Sequence, residues 1–79
     1  MSANKSSLEQ AALRNGVAHY QRAALMLSHA ETLDSLRRAQ AAFTEAAEKG
    51  AAARCAELRR AVEAGGLDEL PPVAELLTR

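Results

Sequence analysis

Apolar residues recur along most of this chain with the period of a helix. From Leu13 the apolar or semi-apolar positions run through Val17, Tyr20, Ala24 and Leu27 in steps of four and three, which places them on one helical face. Leu8, Ala12, His19, Ala23 and Met26 flank that stripe on one side, and Leu25 lies off both. Ser6-Ser7-Leu8-Glu9 opens the segment as a capping box, with Ser6 at the N-cap and Glu9 three residues on. The pattern predicts a first helix over 7–30, after a disordered start over about 1–5. Gly16 lies in the middle of that helix, where glycine costs up to about 1 kcal/mol against alanine. A close approach by a neighbouring helix would explain it.

The stretch from Ser28 to Ser35 is polar and rich in capping residues. It predicts a tight turn near 29–32 with Thr32 as the next N-cap; a helix continuing through 28–35 is the alternative. The second helix is predicted over 33–49, with Leu33, Leu36, Ala39, Phe43 and Ala46 inward and Lys49-Gly50 ending it. A third over 51–64 turns Ala51, Cys55, Leu58 and Val62 inward, and Gly65-Gly66 stops it. Residues 65–72 form a connector. Pro72 then suits the first turn of a short last helix over 73–78. The expected fold is a single all-α domain over 1–79, a small bundle of three antiparallel helices plus a short C-terminal helix. The short links carry the antiparallel expectation.

Composition strengthens the helical reading. Of 38 apolar residues 19 are alanines and 11 are leucines; there is no isoleucine or tryptophan, and valine and threonine together number six. Such a chain has little to build a sheet from. It also has a thin core, because each alanine buries little surface. Part of the stability is therefore expected from self-association or a partner.

Ten basic residues balance ten acidic ones, without the positive excess of a typical nucleic-acid binder. The largest apolar run is too short to span a membrane, and no basic start leads into an apolar block. One cysteine fits a reducing compartment, so a cytoplasmic location is expected. Eight arginines to two lysines, with the abundant alanine, fit a GC-rich bacterial or phage genome.

Catalytic chemistry finds little to work with. His19, His29 and Cys55 show no metal-ligand spacing. Cys55 falls on the inward stripe of its helix, His29 near a helix end and His19 beside the apolar stripe. Gly65-Gly66 follows a helix and does not precede one, unlike a phosphate loop. No enzymatic activity, metal or cofactor is expected. The arginine doublets Arg37-Arg38 and Arg59-Arg60 are the most suggestive polar feature, able to grip phosphate or an acidic partner. Acidic residues interleave with them, and Asp34–Arg38 and Arg59–Glu63 fall at helical pair spacing. A solvated face of mixed charge is the better reading.

Ala39-x₃-Phe43-x₂-Ala46 followed by Glu48-Lys49-Gly50 resembles the second helix of a tetratricopeptide or Sel1-type repeat. The resemblance covers about twelve residues and implies a helical hairpin that binds other proteins. The first helix departs from the family, since Gly16 precedes Tyr20 by four residues where the repeat has three. The expectation is a small protein-interaction module, an adaptor, chaperone-like subunit or inhibitor. It would bind a partner protein through Leu13, Val17, Tyr20, Leu27 and Phe43, with His19, Arg37, Arg38, Arg59 and Arg60 as polar contacts. The alternatives are a nucleic-acid-binding regulator using the two arginine doublets, and a structural homodimer.

Overall fold

Ser6 opens the first helix with both halves of its capping box. The Glu9 N–H donates to Ser6 Oγ at 3.1 Å, and the Ser6 N–H donates to Glu9 Oε1 at 3.1 Å. Two helix-end donors are thereby satisfied. The computed structural model describes residues 5–77. Its helices are α1 (Ser7–Ala24), α2 (His29–Glu45), α3 (Lys49–Glu63) and α4 (Val73–Leu77), with no strand among the described residues. The disordered start predicted over 1–5 lies outside the described residues except at Lys5. There the side-chain ammonium donates to the Ala46 carbonyl and pairs with Glu48 at 3.2 Å.

The first turn comes earlier than the predicted 29–32. The Leu25 N–H donates to the Arg22 carbonyl and the Met26 N–H to that of Ala23, and Met26 adopts a left-handed φ of 53°. The chain leaves α1 six residues before the predicted end, and the continuous helix through 28–35 is excluded. Ser28, not Thr32, caps α2: its Oγ accepts the Glu31 N–H at 3.1 Å. Thr32 is inside the helix and buried, its hydroxyl donating to the Ser28 carbonyl at 2.7 Å. Ser28-x-x-Glu31 repeats the spacing of Ser6-x-x-Glu9, and that recurrence is the local signal for this cap.

The second turn also falls before its predicted place. Ala46 caps α2 and Ala47 takes a φ of 62°. The Glu48 N–H reaches back to the Phe43 carbonyl at 2.8 Å, and the Ala47 N–H to that of Thr44 at 3.1 Å. This is a Schellman closure built without glycine. Lys49-Gly50 therefore opens α3 and does not end α2. The same closure ends α3, where Gly65 has a φ of 75° and the Gly66 N–H donates to the Ala61 carbonyl at 3.1 Å. The predicted third helix thus begins two residues early and ends one short; for the last helix, Thr78 lies outside the described residues.

The three long helices pack together through α2, which touches both α1 and α3. No Cα of α1 comes within 8 Å of one in α3; α4 touches both and closes the gap between them. The core joins Tyr20 and Ala23 to Leu36, Ala39, Phe43, Cys55, Leu58 and Val62, with Leu70 and Leu76 entering from the C-terminal segment. The predicted inward positions of α2 and α3 are buried except Leu33, which is half-buried, and Thr32, Ser35, Ala42 and Ala52 are buried in addition. On α1 the most buried residues are Ala12, Gly16, Tyr20 and Ala23, with Leu13 and Val17 only half-buried. The stripe is rotated toward the small residues because α2 comes in close there. A Cβ added to Gly16 would stand 2.8 Å from both Cδ1 and Cε1 of Phe43.

Candidate functional site

The apolar stripe expected to bind a partner is mostly consumed by the core. Phe43 is 0% and Tyr20 1% exposed, so neither offers an aromatic anchor to a partner. Leu13 and Val17 are half-buried against the core. Leu27, no longer helical, is 60% exposed in the α1–α2 turn beside Leu25 at 63%. These five residues do not form one surface. Tyr20 serves the fold instead, since its hydroxyl donates to the Pro71 carbonyl at 2.7 Å and ties the C-terminal connector to α1. Burial pushes the pKa of that hydroxyl up to about 12.

The polar candidates are brought together more completely. Arg37 of α2 meets Arg59 and Arg60 of α3 across an open groove of about 610 Å³, which Leu33, Asp34 and Glu63 complete. It continues along the same two helices through Gln40, Ala41 and Thr44. On α2 the lining residues Leu33, Arg37, Ala41 and Thr44 follow one another at three or four residues, the spacing of one helical face, with Gln40 beside them. The core side of α2 fixes where this face points, because Leu36, Ala39 and Phe43 are held inside.

Charge within the groove is unevenly matched. Asp34 accepts from Arg37 at 2.6 Å and from Arg38 at 2.8 Å, and these bonds, Arg38 first, hold its carboxyl below the usual range. The i,i+4 pair Asp34–Arg38 forms as the spacing suggests. The Arg59–Glu63 pair does not, and among the described residues neither Arg59, Arg60 nor Glu63 takes part in an ion pair. Three arginines thus line the groove against two carboxylates, one of them shared with Arg38 outside it. Gln40 adds a second irregularity: its Oε1 is buried without a hydrogen-bond partner. Sequence reading missed Gln40, because only packing decides which polar atoms lose water.

The remaining candidates stay apart from this groove. His19 is half-buried on α1, and His29 is the exposed first residue of α2. The predicted first helix would put His29 at its C-terminal end; the structure places it at the N-terminal end of α2. Burial pushes the pKa of the Cys55 thiol up to about 11, which keeps it in the weakly nucleophilic thiol form near neutral pH. Among the described residues no three His, Cys, Asp or Glu side chains are grouped to hold a metal ion. Nor is any helix among them long and apolar enough to cross a membrane. Comparison with known proteins gives no matching family model, no matching curated sequence and no matching solved structure.

Proposed function

We propose that this chain is a small, non-enzymatic protein-interaction module that engages its partner through the α2–α3 groove. The observation that carries this reading is the convergence of Arg37, Arg59 and Arg60 on one open groove, two of them without an ion partner among the described residues. The reading takes the long helices as antiparallel neighbours. Their links are short, and early α2 residues share the groove with late α3 residues. Burial of Ala39, Phe43 and Ala46 together suits the helical hairpin of the repeat resemblance, and a buried free thiol suits a cytoplasmic setting.

Mixed charge within the groove and the burial of both aromatics argue for a protein partner over a nucleic acid, which wants phosphate contacts or stacking platforms. The test is capture of a defined partner from an extract of the source cells by the native chain and by Ala41→Trp. Ala41 is exposed within the groove, so the bulky indole blocks the surface without entering the core. Loss of the partner with Ala41→Trp supports the reading; equal capture overturns it. A homodimer is the second reading, favoured by the exposure of both Leu25 and Leu27 in the α1–α2 turn. Light scattering would then give a constant mass near twice 8.4 kDa across a wide concentration range.

A further inference from the structure

We infer that the occupant of the α2–α3 groove is an acidic segment of another protein, whose carboxylates pair with Arg59 and Arg60. This rests on the reading of that groove as an interaction surface and adds the chemistry of what it takes.

Arg59 and Arg60 present two guanidiniums from adjacent positions of α3, and the nearest acidic side chain in the groove from the same helix, Glu63, pairs with neither. Arg59 is half-buried while Arg60 is exposed. Arg59 thus packs part of its side chain against the protein while Arg60 stands out in water, and both line the groove. A carboxylate matches the planar fork of a guanidinium with two parallel bonds, and partial shielding strengthens such a pair. Arg37 completes the set from the opposite wall. Asp34 holds it at 2.6 Å while also holding Arg38 at 2.8 Å, so an incoming carboxylate can take up Arg37 and leave Asp34 still paired.

The groove also favours a peptide over a phosphate backbone. Asp34 and Glu63 stand in its lining, and they would repel a continuous run of phosphates while leaving discrete carboxylates room to pair between them. Further along, Gln40 keeps a buried, unpartnered carbonyl oxygen beside the exposed Ala41 and Thr44. A docked peptide brings backbone N–H donors, which that oxygen could accept once the side chain turns outward. A phosphodiester backbone brings none.

Fluorescence anisotropy of a labelled peptide whose glutamates are spaced by glycine and serine, against the native full chain, tests the inference at low and moderate salt. Saturable binding is expected, weakened about tenfold or more by Arg59→Glu/Arg60→Glu and left unchanged by Arg14→Glu on the exposed face of α1. Arg59→Gln/Arg60→Gln keeps the side chains polar and uncharged. It should lose binding too while melting like the native chain, which separates lost charge from lost fold. Absence of saturable binding, binding by either double variant as tight as that of the native chain, or equally tight binding of an oligothymidylate of matched charge overturns the acidic segment. If a natural partner is lost with Ala41→Trp but retained by Arg59→Gln/Arg60→Gln, the acidic segment falls and the groove as interaction surface stands.

Discussion

Gly16 of α1 lies directly against the Phe43 ring of α2. An alanine at 16 gains up to about 1 kcal/mol of helix propensity, yet its methyl would stand 2.8 Å from two ring atoms of a side chain with no exposed surface. Overpacking a closed site costs about 1–3 kcal/mol, so the clash wins. Gly16→Ala should lower stability by about 1 kcal/mol in urea denaturation, and Phe43→Leu in the same chain should return part of that loss. Ala47 presents the opposite case. It closes α2 at a φ of 62°, a conformation that costs an L-residue about 1–2 kcal/mol, part of which glycine gives back as entropy in the unfolded chain. Ala47→Gly should raise the urea midpoint, with a gain of about 0.5–1 kcal/mol. Gly16 was legible as a site of close approach. The left-handed alanine was not, because alanine gives no local sign of a helix end.

At the scale of elements, the two serine caps do most to fix where helices begin. Ser6 and Ser28 each accept the N–H of the glutamate three residues on, satisfying a donor that the helix leaves unpaired. Ser28→Ala should cost about 1 kcal/mol, read as a lower melting temperature. Thr32→Val should leave the start of α2 where it is, which amide exchange at Glu31 and Thr32 can follow. The sequence carried both caps at the same spacing, but the polar run through 28–35 offered several capping residues in competition. Packing decided among them: Met26 is drawn against the core, and that brings the turn forward to the residues just before Ser28.

The whole molecule shows its dependence on burial most plainly at alkaline pH. Cys55 rises from 9.0 to about 11 and Tyr20 from 10.0 to about 12 on folding. Both groups are neutral when protonated, so the unfolded chain loses its protons first and gains from each rise in pH. Their contribution is complete below pH 9 and is lost between about pH 9 and 12, at up to about 1.4 kcal/mol per pH unit for each group. Urea midpoints measured from about pH 7 to 12 should fall steeply above about 9. Tyr20→Phe should remove the upper part of that fall and Cys55→Ala the lower. Tyr20→Phe should also loosen the C-terminal segment at neutral pH, because it deletes the bond to Pro71.

The sequence by itself determined the helical class, the α1 capping box, the glycine stop after α3 and the inward faces of α2 and α3. Each follows from local propensity or from a period of 3.6 residues, which a linear string retains. Tertiary structure decided where two turns fall, which face of α1 is most deeply buried, and which polar groups share a surface. Those outcomes depend on how closely two helices approach and on what each then removes from water. Arg37 and Arg59 are 22 positions apart and become neighbours only because Leu36, Phe43, Cys55 and Leu58 are buried in a common core.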